Sequence, residues 1–219
     1  EFERKATLEY GSFYCFNGDI KSFFPTIPVH ILKLVVRKVI YDRKVLRLID
    51  LFLDYGGDIG IAIGALLSQL LANLMMDRLD HYIKDERRYR YYVRYMDNFV
   101  VLTKTSAEAR ELGDAVACFV SNILGHEINP KSCVIKGSMG INFCGFRIWA
   151  SHIKPIKPAF RRSIRRLKKK ARLYNVGQIL LTDFKQSLGS FIGHYKQCNV
   201  YRSIESALDK FVLKGARDE

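Results

Sequence analysis

Cysteine is scarce and unpatterned: five residues, an odd number, at Cys15, Cys118, Cys133, Cys144 and Cys198, with no Cys-x-x-Cys. The five histidines show no metal-ligand spacing either, so neither a zinc site nor a disulfide framework is expected. This usage reads as a reducing, cytosolic protein. No signal peptide, internal repeat or low-complexity linker is visible. Long apolar runs are missing too. The most apolar stretch, Ile59 to Met76, is broken by Gly60, Gly64, Ser68, Gln69 and Asn73, which suits a buried helix better than a membrane span. Acidic side chains are thin at one end: residues 1–150 carry 20 basic and 17 acidic groups, residues 151–219 carry 16 and 5.

What is present supports a packed protein. Of 219 residues 48% are hydrophobic and 26% charged, which excludes a disordered tail or a collagen-like chain. The net charge of +14 falls mostly on the last third. A nearly neutral body with a strongly basic end suggests a scaffold that holds a polyanion, most often nucleic acid. The shift near Ser151 marks the boundary the composition offers, giving 1–150 and 151–219. The chain opens on Glu1 rather than Met, as a fragment would.

Residues 13–18 (FYCFNG) read as a core strand leading into Asp19. Helical spacing follows over 29–40 and about 44–53, and a long helix over about 65–86. Tyr91 to Leu102 holds two β-rich runs around Met96-Asp97-Asn98, with room only for a tight turn. Thr105 to Glu108 has the form of a capping box opening a helix to about Ile123. Strands are expected near 133–136 and 141–149, then helices from about Pro158, Asp183 and Tyr201. This order is α+β, a mostly antiparallel sheet backed by helices, followed by a helical end.

Asp19 ends one predicted strand, and Asp97 sits at a hairpin tip. Neighbouring central strands would bring them together. Two close carboxylates repel unless a divalent cation neutralises them, and Mg²⁺ is the usual ion for such oxygen sites. Taken singly, each Asp also reads as an ordinary strand-end or turn residue.

The strings FNGDIKSFFPTI, GIAIGALLSQLLAN, VRYMDNFVVL, INPKSCVI and INFCGFRIW occur in this order. Together they resemble the palm motifs of reverse transcriptases of the bacterial retroelement class, over about Phe13 to Trp149. The pairs Ile63-Gly64 and Ser68-Gln69 are most similar to the enzymes of diversity-generating retroelements, where group II intron enzymes carry Gln-Gly and Ser-Pro. The resemblance implies a polymerase right-hand palm with a small helical thumb. Only 18 residues precede Asp19, so the fingers of this class have no counterpart in the sequence.

The resemblance also implies roles. Asp19 and Asp97, with the Ile20 carbonyl, would hold two Mg²⁺ ions, with Mn²⁺ a possible substitute. Phe24 matches the aromatic gate against a ribose 2′-OH, although Phe23 or Phe24 must also fill the core. Ile63 and Gly64 would face the templating pair, with Gln69 beside the nucleotide. Lys131 matches a lysine near the leaving pyrophosphate and reads equally as a solvated turn lysine. Gly145 would lie in a primer-grip hairpin over 141–148. Asn98 departs from the class, which carries Asp there. Natural divergence and deliberate inactivation both account for it.

The basic segment shows one apolar stripe, Phe160, Ile164, Leu167, Ala171 and Tyr174, within a helix otherwise covered by Arg161, Arg162, Arg165, Arg166, Lys168, Lys169, Lys170 and Arg172. A solvated face or a membrane-surface helix fits this pattern as well. The thumb position supplies phosphates of a template–primer duplex as the counter-charge.

The expected activity is RNA-directed DNA polymerisation, an enzyme (nucleotidyltransferase) using deoxynucleoside triphosphates on a template RNA to make error-containing cDNA. The expected partners are that RNA, the primer and a small basic accessory variability protein, with no membrane. The setting would be cytoplasmic, bacterial or phage-encoded. The alternatives are a non-catalytic nucleic-acid-binding module of the same fold, and a group II intron-like or defence-associated reverse transcriptase.

Overall fold

The computed structural model describes residues 1–199 together with 204, 205 and 208; the helix expected from about Tyr201 lies outside the described residues. The chain divides into two compact units, Glu1–Met139 and Gly140–Glu219. The units meet ahead of the composition shift at Ser151, because the strands expected over 141–149 cluster with the basic helices rather than with the larger sheet.

In the first unit, α1 (Phe2–Tyr10) precedes β1 (Tyr14–Asp19). Three helices follow: α2 (Phe23–Thr26), α3 (Val29–Val36) and α4 (Arg43–Asp54). The helix expected to reach residue 40 stops at Val36 and unwinds through turn bonds from Lys38 N–H to the Val35 carbonyl and Val39 N–H to the Val36 carbonyl, before Asp42 turns extended to cap α4. Its carboxylate accepts from the N–H groups of Lys44 (2.8 Å) and Val45 (3.0 Å). The long helix α5 (Leu66–His81) continues into a π-helical turn, Tyr82–Glu86. Then come β2 (Tyr92–Tyr95), β3 (Asn98–Thr103), α6 (Ser106–Phe119) and β4 (Cys133–Lys136). Thr105 Oγ1 caps α6 through Glu108 N–H (3.1 Å), and the Glu108 carboxylate reaches back to Lys104 N–H (3.0 Å).

The four strands form an antiparallel sheet in the order β2-β3-β1-β4, so the β1 and β3 that carry the candidate carboxylates are its centre. One face presents Phe16, Phe99 and Val101 to Leu71, Met75, Leu79, Leu112 and Val116 of α5 and α6. Truncating a buried aromatic of this kind costs about 3–5 kcal/mol, so this layer accounts for much of the unit's stability. Gly18 is required on this face: a Cβ there would lie 2.2 Å from the Phe99 ring.

The opposite face carries Cys15, Asp19, Asn98 and Leu102 by strand alternation. α1, which no sequence pattern announced, packs at its lower end. Phe2 and Tyr10 each meet Tyr91 edge-on at 5.4 Å, and the Tyr91 hydroxyl donates to Glu9. Glu3 is buried there with one carboxyl oxygen unpartnered, and burial pushes its pKa up to about 7.

The second unit holds a three-stranded antiparallel sheet, β5 (Ile141–Phe143), β6 (Phe146–Ile148) and β7 (Ile153–Pro155), with α7 (Lys157–Asn175) and α8 (Leu181–Tyr195). Its core is Phe146, Leu167, Phe191 and Tyr195, with Phe160 and Ile164 against them. The apolar stripe read from the sequence is therefore the buried side of α7. β7 was not expected: three residues ending in Pro155 carry too little pattern. Among the described residues no helix is long and apolar enough to cross a membrane, and all five cysteines are free.

Candidate active site

The site forms where β1 ends beside the β2–β3 turn. Asp19 pairs with Asn98 across β1 and β3, and Tyr95 pairs with Asn98 across β2 and β3, leaving Met96 and Asp97 as a two-residue turn. Met96 takes φ 57°, the left-handed conformation such turns need at their first central residue. Arg94 makes that conformation tolerable. Its Nη1 donates to the Met96 carbonyl (2.9 Å), while Nε and Nη2 grip the Asp80 carboxylate of α5 at 2.7 and 2.5 Å. The Tyr92 hydroxyl donates to the same carboxylate (2.5 Å). The hairpin tip is thereby anchored to the helix behind it.

Ile20 N–H donates to the Asp97 carbonyl (3.3 Å), extending the β1–β3 ladder into the turn. The return bond is missing among the described residues, because Asp97 N–H turns to its own carboxylate. The Ile20 carbonyl is thus left toward the hairpin with no backbone donor. Burial raises the Asp97 pKa most. Its own N–H and the Asn98 amide oppose that rise, and the nearby Asp19 carboxylate adds to it. The proximity itself is set by the backbone: Asp19 is paired with Asn98, and Ile20 N–H with the Asp97 carbonyl, so the two aspartates end neighbouring strands side by side.

Asp19 is held by the loop before β4. Asn129 Nδ2 donates to Asp19 Oδ2 (2.7 Å), and Asn129 N–H donates to the Asp19 carbonyl (2.8 Å). Asp19 N–H donates to Ser132 Oγ (3.1 Å). Sequence reasoning singled out Lys131 on this loop and passed over Asn129 and Ser132. An amide before a proline at the entry to a central strand was the available signal. The Arg94–Asp80 anchor had no local signal, since its partners lie on different elements.

The structure thus brings Asp19, Ile20, Asp97, Asn98 and the Lys131 loop together. The Lys131 side chain is exposed, and its backbone N–H donates to Asn129 Oδ1 (3.0 Å). Phe23 is core at 2% exposure, whereas Phe24 beside it, ring centroids 5.6 Å apart, is half-buried. Phe24's carbonyl accepts from Ile61 N–H (3.0 Å), which ties the Gly60–Gly64 loop to α2. In that loop Ile63 is 78% exposed and Gly64 takes φ 94°; Gln69 on α5 is exposed too. No contact joins Ile63, Gly64 or Gln69 to the carboxylates among the described residues.

In the second unit, Gly145 (φ 83°) and Cys144 (φ 48°) form the β5–β6 turn. On α7, Arg161, Arg162, Arg165, Arg166 and Lys169 are exposed and Lys168 is half-buried. A groove of about 570 Å³ between α7 and α8 is lined by Arg166, Lys170, Ser187, Ser190 and His194 among others, with no acidic residue.

Two carboxylates, a backbone carbonyl without a donor and an amide oxygen make a hard oxygen set that fits a divalent cation. Among the described residues no group of three or more His, Cys, Asp or Glu side chains suited to a metal occurs. The pair therefore stands without the third acidic neighbour that Asp at position 98 would have been.

Comparison with known proteins gives a family and a fold. The reverse transcriptase (RNA-dependent DNA polymerase) family model matches residues 3–148. No curated protein matches by sequence. Among solved structures the fold is similar to apo telomerase from Candida tropicalis truncated from its C-terminal domain, at TM-score 0.57 and 14% identity over 71% of this chain and 38% of that one. It is also similar to the telomerases of Candida tropicalis and Candida albicans in complex with the TWJ fragment of telomeric RNA. These give TM-scores of 0.56 and 0.55 and identities of 11% and 12%, over 94% and 95% of this chain and 42% of each of those. The chain spans about two fifths of these structures' length, and the likeness is one of fold.

Proposed function

The chain belongs to the reverse transcriptase (RNA-dependent DNA polymerase) family, and from that premise we propose that it is the palm and thumb of an RNA-directed DNA polymerase of the diversity-generating retroelement type. The observation that carries the polymerase reading is the convergence of Asp19 and Asp97 at the centre of an antiparallel sheet. Asp19, Asp97 and the Ile20 carbonyl would hold Mg²⁺, or Mn²⁺ in its place. Ions held there would supply charge neutralisation for phosphoryl transfer. The chain's own residues do the rest. Phe24 presents a half-buried ring against a ribose 2′-OH, and Lys131 offers an ammonium to the leaving pyrophosphate. Ile63 and Gly64 line the templating pair, and Gln69 stands beside the nucleotide. The basic face of α7 and the Gly145 turn hold template RNA and primer.

The retroelement type rests on the Ile63-Gly64 and Ser68-Gln69 pairs, and with it come copying of a template RNA with errors, a small basic accessory protein, and a bacterial or phage origin. Asn98 favours a second reading, a nucleic-acid-binding module with the polymerase fold and impaired chemistry. Primer extension on an RNA template with Mg²⁺ or Mn²⁺ separates the two. Incorporation abolished by Asp19→Asn supports the first reading. Tight duplex binding with no incorporation, even after Asn98→Asp, overturns it.

A further inference from the structure

Asn129 touches both halves of the site. Its side chain donates to Asp19 Oδ2 at 2.7 Å and accepts from Lys131 N–H at 3.0 Å, while its backbone N–H donates to the Asp19 carbonyl at 2.8 Å. The orientation of the amide is fixed. Lys131 N–H can only donate, so the amide oxygen must face it and the NH₂ must face Asp19.

We propose that Asn129 is a positioning residue for the cation site: it occupies one oxygen of Asp19, leaves the other for the cation, and couples that carboxylate to the loop bearing Lys131. The proposal rests on the polymerase reading above and adds a residue to it. A lone carboxylate at a strand end rotates about χ1 and χ2, and binding must then select one rotamer. A charge-assisted hydrogen bond at 2.7 Å makes that selection beforehand. Partners of this kind around metal-binding carboxylates change metal affinity by about 10–100-fold when removed. Because the same amide holds Lys131 N–H, a shift of the loop and a rotation of Asp19 are one movement.

The test is a Mn²⁺ titration of the 219-residue chain, read as paramagnetic broadening of the Ile20 and Asn98 amide signals, which needs no catalysis. Asn129→Ala is compared with Thr103→Val at the opposite end of the same sheet, a buried change that loosens the strand pair without approaching the site. Asp19→Asn serves as the reference for loss of the site. The expected result is an Asn129→Ala midpoint about 10-fold higher than the parent, with Thr103→Val within about 2-fold, even where Thr103→Val lowers Tm more. In extension assays Asn129→Ala should raise the Mg²⁺ midpoint and leave the primer–template KM unchanged. Parental Mn²⁺ affinity in Asn129→Ala, with loss in Asp19→Asn, overturns the role of Asn129 and leaves the polymerase reading standing. An affinity loss in Thr103→Val equal to that in Asn129→Ala reduces Asn129 to general support and overturns the proposal. A parent chain whose signals are untouched by Mn²⁺ overturns both.

Discussion

Placing a carboxylate at position 98 should have an effect whose sign depends on whether metal is bound. Asn98 lies opposite Asp19 in the strand register, and its amide reaches the Asp97 carboxylate. Asn98→Asp therefore adds a third negative charge about 5 Å from Asp19, the usual cross-strand spacing, and next in sequence to Asp97, for which about the same separation is taken. At an effective dielectric near 20, each repulsion is about 3 kcal/mol, while attraction to a dication at about 4 Å is about 8 kcal/mol. With a cation present, about 2 kcal/mol of attraction remains. Asn98 is exposed, which screens that to about 1.4 kcal/mol, or about 10-fold in cation affinity. Without a cation, the same change leaves only repulsion and destabilises the protein. Steady-state extension over a Mg²⁺ titration should show a midpoint about 10-fold lower for Asn98→Asp and a rate at least 10-fold higher at low Mg²⁺. Thermal melts should show Asn98→Asp below the parent in chelator and level with it or above in Mg²⁺. Equal extension by both forms at low Mg²⁺ would refute this account of the metal site.

Ile63→Gln should alter errors rather than folding: Ile63 is exposed, and beside a templating pair, as proposed, an apolar side chain would make none of the hydrogen bonds that Gln can. Sequenced cDNA from the Asn98→Asp background with and without Ile63→Gln checks this, and identical error spectra remove Ile63 from base selection. Reversing the charge of Arg161, Arg165 and Lys168 together should flatten the dependence of duplex affinity on salt by about three in log–log slope; an unchanged slope makes α7 a solvated surface. Glu3→Gln tests the buried carboxyl under α1. Burial raises the folded pKa to about 7 from 4.5, so the unfolded chain gives up its proton first and stability falls as pH rises through that interval. Glu3→Gln should therefore raise Tm at pH 8 and leave it unchanged at pH 4, and an equal effect at both would place Glu3 in contact with a compensating charge.

Much of the site was legible because its signals are local. Asp19 follows an alternating strand, Asp97 sits where two β-rich runs leave space only for a turn, and Thr105 and Glu108 form the cap their spacing announced. What was not legible depends on partners that lie on different elements. Arg94 finds Asp80 on α5, and Asn129 finds Asp19 across more than a hundred residues. Neither has a period. α1 was missed for a related reason: it buries a glutamate, so its pattern reads as surface. Composition follows charge and shifts near Ser151, whereas the compact units divide at Gly140, because β5 and β6 are sorted by which core they fill.

The Gly18–Phe99 contact has a consequence for inheritance. The ring occupies the volume a side chain at 18 would need, one residue before Asp19 and two after Asp97. A strand slip of one residue would turn Asp19 to the helix face and set another residue against the ring. The interlock is therefore a keyway that permits one alignment of the two aspartates. A side chain can arrive at 18 only if the ring at 99 shrinks in the same lineage. The two positions should drift as a couple, or stay still together, while the surface around them changes freely.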